Sequence, residues 1–205
     1  KIDKIFDKDL SIKQIIQKEP KGLGHAILCS KKIVGKEPFA VVLPDMVMSK
    51  KSKQNNSSLK NMKVNFEKYK KTSILLGKVK KEDISKYGIA KIKKSSTIPC
   101  LGYLQEMIEK PSLEDAPSNL YAVGRYVFAN DFMSYLNKVH PDNNGEVQLT
   151  SAIDQYIKHR NDVIAFALNE KLYDCGDEIG YLTANLDFSM KDKKVKKIIL
   201  KHLKS

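Results

Sequence analysis

Short apolar runs and helical stripes take turns along this chain. Residues 39–43 (FAVVL) form a continuous apolar run, the pattern of a strand buried on both faces. Residues 72–79 (TSILLGKV), 87–92, 103–109, 120–129 and 163–168 predict further strands, and 11–17 (SIKQIIQ) reads as one more. Residues 59–71 carry apolar side chains at 59, 62, 66 and 69, a stripe at helical spacing. Residues 24–32, 131–139 and 149–160 also read as helical, the last capped by Thr150, and 190–205 as a basic amphipathic helix. The polar stretches 49–58 and 95–99 and the proline-bearing 111–119 are loops. Strands alternating with helices predict an α/β fold, a mixed and mostly parallel sheet flanked by helices, with no internal repeat and a single domain over 1–205.

A length of 205 residues with 41% hydrophobic content is enough to bury a core. No run of about 18 apolar residues is present to cross a membrane as a helix. The opening Lys1-Ile2-Asp3-Lys4 has neither Met nor an apolar signal core and reads as a chain entered partway through. Cys29, Cys100 and Cys175 are odd in number and far apart, which fits a reducing cytoplasm, and the four histidines show no zinc spacing. The net charge of +13 suggests nucleic acid at first, but only two of the 37 basic residues, Arg125 and Arg160, are arginine. Base readers rely on the bidentate arginine fork and on interleaved aromatics, and neither pattern occurs. The lysines therefore form a solvated surface that also attracts small phosphorylated ligands, with no nucleic-acid partner expected.

Five short stretches carry chemistry. Lys21-Gly22-Leu23-Gly24-His25-Ala26 puts two glycines at a helix start, where exposed N–H groups favour a flat or anionic ligand; taken alone, the stretch is better explained by a plain turn. Leu43-Pro44-Asp45 follows a strand, where ligands of open α/β sheets gather, and Asp45 is either a turn former or a carboxylate for a hard cation. Glu109-Lys110-Pro111 ends another strand; the pair is either a surface ion pair or a sugar-hydroxyl acceptor beside a phosphate-neutralising ammonium. Glu146-Val147-Gln148-Leu149-Thr150 opens a helix, and Tyr173-Asp174-Cys175-Gly176 brings a second carboxylate to a strand end.

Taken in order, QxxxKGLGHA, LPD, YG, EKP, APSNLYxVGRY, ExQLTxAI and DCG resemble the landmarks of the bacterial UTP–glucose-1-phosphate uridylyltransferases, within the sugar nucleotidyltransferases. The resemblance runs from Ser11 to about Asp187 and implies a Rossmann-like nucleotidyltransferase fold. His25 and Pro44 favour the uridylyl over the related thymidylyl type. The resemblance further implies Mg²⁺ on Asp45 and Asp174, with Asp45 and Lys110 catalytic. It puts Gln17 and Gly22 on the uracil edge, and Tyr87, Gly88, Glu109, Lys110, Asn119, Gly124, Glu146 and Gln148 around the sugar phosphate. It implies UTP, glucose-1-phosphate and UDP-glucose as partners, a cytoplasmic setting, no membrane, and a homo-oligomer in the full-length form. Lys18-Glu19-Pro20 and Ser151 depart from the family pattern. So does the absence from residues 1–205 of the family's opening strand and its GxGTR loop. The expectation is an enzyme of this family whose 205 residues alone are inactive, with a catalytically dead fragment and a thymidylyltransferase as alternatives.

Overall fold

The computed structural model describes residues 11–49, 57–95, 100–160 and 163–203. In chain order these form α1 (Gly22–Cys29), α2 (Lys31–Val34), β1 (Phe39–Val42), β2 (Met46–Ser49), α3 (Ser58–Tyr69) and β3 (Ser73–Lys78). There follow β4 (Gly88–Lys94), β5 (Gly102–Glu109), β6 (Leu120–Phe128), α4 (Phe132–Leu136), α5 (Leu149–Arg160), β7 (Ile164–Ala167), β8 (Lys171–Asp174), α6 (Glu178–Ser189) and α7 (Lys193–His202). A short 3₁₀ helix, Lys81–Lys86, leads into β4.

The sheet is assembled on β6. Along one side β3 runs antiparallel to it, from Ser73↔Val127 to Lys78↔Leu120. On the other side β1 pairs with its C-terminal half and β4 with its first residues, both antiparallel. β3 then pairs parallel with β7, and β7 and β4 each pair antiparallel with β5. A separate two-stranded ribbon joins β2 to β8.

Period-two alternation splits the apolar residues between two faces. Ile74, Leu76, Ala122, Tyr126, Phe128 and Ala165 face a core shared with α1, α4 and α5. Leu75, Val123, Val127, Ile164 and Phe166 face Met62 of α3. The start of α3 is fixed from across the fold. Buried Glu170 accepts hydrogen bonds from the Ser58 backbone N–H, at 2.6 Å, and from the Ser58 hydroxyl, so a carboxylate meets the positive end of the helix.

The α/β class and the mixed sheet hold, but the parallel majority does not: among the described strands only β3 and β7 pair parallel. Residues 39–43 form an edge strand with alternating exposure, Val42 being 49% exposed, not a strand buried on both faces. Residues 11–17 form no strand. Thr150 lies inside α5 and so is not its cap. Most of the 49–58 and 95–99 loops lies outside the described residues. No described helix is long and apolar enough to cross a membrane.

Phe132 is fully buried, stacked on Phe128 at 3.8 Å between ring centroids and edge-on to Tyr156 at 5.5 Å. Phe132→Ala removes the centre of this aromatic chain and should cost about 3–5 kcal/mol in urea unfolding. A loss below about 1 kcal/mol would show that the core collapses around the gap.

Candidate active site

After β1 the chain turns through Leu43, Pro44 and Asp45 into β2. Arg125 on β6 holds this turn. Its Nη1 donates to the carbonyls of Leu43 (2.8 Å) and Gly124 (2.9 Å), and its Nη2 to that of Met46 (2.6 Å). Burial pulls the Arg125 pKa down, but a guanidinium stays charged in any protein. The β2–β8 register sets Met46 opposite Asp174, and the Asp45 carbonyl accepts from the Cys175 N–H at 2.8 Å.

The two carboxylates therefore face a common space. A Cβ built on Gly176 would sit 3.0 Å from Asp174 Oδ1 and 3.5 Å from Asp45 Oδ2, so glycine leaves the gap between them open. Asp174 is oriented on both oxygens: Oδ1 accepts from the Gly176 N–H (3.0 Å) and Oδ2 from the Tyr87 hydroxyl (2.7 Å). Burial, then this bond, push the Tyr87 pKa up, so the phenol keeps the proton it donates. Among the described residues no cluster of three or more His, Cys, Asp or Glu could hold a metal. Two carboxylates with an open space suit a hard cation that takes its remaining oxygens from phosphate and water.

Tyr87 also lines a neighbouring cavity of about 250 Å³, together with Gly88, Glu109, Lys110, Glu146 and Gln148. Glu109 ends β5 directly opposite Gly88. Burial raises its pKa above the ordinary carboxylate range, while the Thr150 hydroxyl and then the charge of Lys110 act in the other direction. Lys110 is held in the left-handed region (φ 44°), with its N–H donating to the Tyr87 carbonyl at 3.1 Å. A non-glycine residue in that conformation is strained, and such strain collects at functional sites.

Asp142 organises the far wall. Its Oδ1 accepts from the N–H groups of Asn144 (2.9 Å) and Glu146 (3.0 Å). Gln148 Nε2 donates to Asp142 Oδ2 and to Glu146 Oε2, both at 2.9 Å. The Gln148 bond is the main reason that the Asp142 pKa is lowered. This wall is bonded to α1 through Gly24 N–H to the Val147 carbonyl and Val147 N–H to the Lys21 carbonyl, both 2.9 Å. A Cβ on Gly24 would stand 2.5 Å from the Val147 oxygen, so the glycine pair is there for close approach.

Of the residues singled out in the sequence, Tyr87, Gly88, Glu109, Lys110, Glu146 and Gln148 meet in the cavity, and Asp45 and Asp174 meet beside it. Gln17 and Gly22 sit at the start of α1, behind the Glu146 wall: Gln17 Nε2 is 3.1 Å from the Gly22 carbonyl and 2.9 Å from His25 Nδ1. Gly124 contributes main chain, its carbonyl accepting from Leu43 N–H at 2.9 Å. Asn119 is exposed and does not line the cavity; its carbonyl accepts from Val79 N–H at the head of β6. Sequence reasoning missed Arg125 and Asp142. The Asp-Asn-Asn-Gly string at 142–145 was a signal for Asp142, because it marks a side-chain-capped turn.

Helices thus cover both faces of a mixed sheet, with two carboxylates beside a polar pocket. The sequence model of the nucleotidyl transferase family matches residues 2–191, and the chain belongs to that family. It is similar to the UTP–glucose-1-phosphate uridylyltransferase of Haemophilus ducreyi, with 38% identity over 196 residues, 93% of this chain and 65% of that protein. Among solved structures it matches a UDP-glucose pyrophosphorylase from Acinetobacter baumannii, with TM-score 0.81 and 32% identity over 98% of this chain and 69% of that one. It also matches a UDP-glucose pyrophosphorylase complexed with UDP-glucose, with TM-score 0.79 and 37% identity over 86% of this chain and 65% of that one. The chain thus spans about 65% of the length of curated relatives such as the Haemophilus ducreyi enzyme.

A carboxyl with a raised pKa binds its proton more tightly in the folded state. Its penalty is absent below the unfolded value near 4.5 and grows as pH rises through the folded value. Glu109→Gln should match the wild type in urea midpoint at about pH 4 and exceed it at about pH 7.5. An equal or lower midpoint at the higher pH would mean that Glu109 is compensated in the fold.

Proposed function

We propose that this protein transfers a uridylyl group from UTP to glucose-1-phosphate, giving UDP-glucose and pyrophosphate, with Mg²⁺ as cofactor. Enzymes of the family generally use a divalent metal. The observation that carries the reading is the Tyr87–Asp174 hydrogen bond of 2.7 Å, because it joins a sugar-sized polar cavity to a two-carboxylate cradle. Asp45 and Asp174 would hold the ion, which when bound offsets phosphate charge. Glu109 accepts from sugar hydroxyls, and Lys110, at the cavity rim, neutralises the sugar phosphate. Glu146 and Gln148, with Tyr87 and Gly88, complete the sugar wall, while Gln17 and Gly22 read the uracil edge beside it. Gly124 holds the Leu43 turn under the phosphates, and Asn119 serves the sugar side only if the 111–119 loop draws in.

The phosphate oxygen of glucose-1-phosphate attacks the α-phosphorus of UTP in line, and the bond to the leaving pyrophosphate breaks. That oxygen is already ionised, so no general base is required. Positioning and charge neutralisation are what remain for the protein to supply. The reading includes a cytoplasmic setting, a single domain and a homo-oligomer in the full-length form. The exposed Ile179, Leu182 and Leu186 of α6 give such an assembly an apolar surface to cover.

Pyrophosphate release by the full-length protein, with UTP and glucose-1-phosphate, is the direct assay; no turnover would reject the reading. Lys110→Ala should lower kcat/KM by at least about 10²-fold, or ~2.7 kcal/mol, through loss of a charge-assisted phosphate contact. Near-normal kcat/KM in that variant would remove Lys110 from the phosphate.

A further inference from the structure

We infer that His25 is a positioning residue: it locks the Gln17 amide so that only the carbonyl oxygen meets the base, which selects uracil over cytosine. This rests on the uridylyltransferase reading above. Gln17 precedes α1 and His25 is its fourth residue, both half-buried. Gln17 Nε2 lies 3.1 Å from the Gly22 carbonyl oxygen and 2.9 Å from His25 Nδ1. A carbonyl oxygen only accepts, so the atom turned to Gly22 has to be the amide nitrogen, which carries two N–H groups. One donates to Gly22 and the other to Nδ1. His25 therefore accepts through Nδ1, with its ring proton on Nε2; a proton on Nδ1 would set two donors face to face.

Both amide hydrogens are then engaged, and among the described residues no other group bonds the Gln17 side chain. What the amide still offers a ligand is Oε1, which is an acceptor alone. Uracil presents a donor at N3–H, whereas the ring N3 of cytosine is an acceptor. Oε1 matches the first and sets lone pair against lone pair with the second. A site built to hydrogen-bond one group rejects an analogue lacking it far more strongly than apolar contact can. Without the Nδ1 acceptor, one amide hydrogen comes free beside Oε1. Gln17 would then present a donor and an acceptor together, and the N3 and amino group of cytosine fit that pair as well as the O4 and N3–H of uracil. His25 need not touch the base; it acts through Gln17.

The test is calorimetric titration of the full-length protein with UTP and with CTP, for the wild type, His25→Phe and His25→Asn. The wild type should prefer UTP. His25→Phe, which keeps a flat ring without the acceptor, should shrink the UTP-to-CTP affinity ratio by roughly tenfold, mostly through tighter CTP binding. His25→Ala carries the same expectation, should the phenylalanine prevent folding. His25→Asn, whose Oδ1 can accept in place of Nδ1, should keep the ratio close to the wild-type value. An unchanged ratio in His25→Phe, with both nucleotides weakened alike, would reduce His25 to a structural role and overturn the inference. A His25→Asn variant as unselective as His25→Phe would also overturn it, as would a wild type that binds UTP and CTP alike. Failure of the wild type to bind UTP at all would instead reject the functional reading, and this inference with it.

Discussion

The Arg125 guanidinium, set among the carbonyl oxygens of Leu43, Gly124 and Met46, ties the middle of the sheet to the turn that carries Asp45. Asp45 and Asp174 approach the same small volume beside Gly176, an arrangement that like charges oppose. Main-chain bonds resist that repulsion: the β2–β8 ribbon, the Asp45 carbonyl on Cys175 N–H, and Arg125 from beneath. A lysine in the place of Arg125 would offer one point charge to three acceptors that a planar fork meets together.

The pocket beside the cradle is paid for in the same way, by features that cost stability. Glu109 is a carboxyl raised in pKa by burial, and Lys110 is a non-glycine residue in the left-handed region. Each is unfavourable alone, and both line one cavity. Rigid elements enforce them: the β4–β5 pairing fixes Glu109 against Gly88, and Lys110 N–H is fastened to the Tyr87 carbonyl. Groups held in place beforehand need no reorganisation when a charged substrate arrives.

Much of this was legible in the sequence. The strands at 72–79, 103–109 and 120–129 are apolar and β-rich, and they form β3, β5 and β6 within a residue or two. Asp45 and Asp174 were legible because each closes a turn or strand end, where ligands of α/β sheets gather. Strand direction was not: a period of two fixes which face a side chain takes but not which way its neighbour runs. The β4–β5 pairing and the placement of β6 between β3 and β1 make most of the sheet antiparallel. Residues 11–17 have strand-like composition but no pairing partner, and composition alone does not make a strand. Arg125 could not be recognised because its acceptors are backbone carbonyls 82 and 79 residues away, which no local pattern reveals.

The central claim is that the carboxylate cradle and the sugar cavity are one site. The most direct measurement is the ³¹P linewidth of glucose-1-phosphate in the presence of the protein and Mn²⁺ as a paramagnetic stand-in. The account predicts strong broadening with the wild type, because a metal at Asp45 and Asp174 would lie beside a phosphate held by Lys110. It also predicts loss of that broadening in Asp45→Asn while the ligand still binds. Broadening that is unchanged in Asp45→Asn, or absent when both ligand and Mn²⁺ are bound to the wild type, would contradict it.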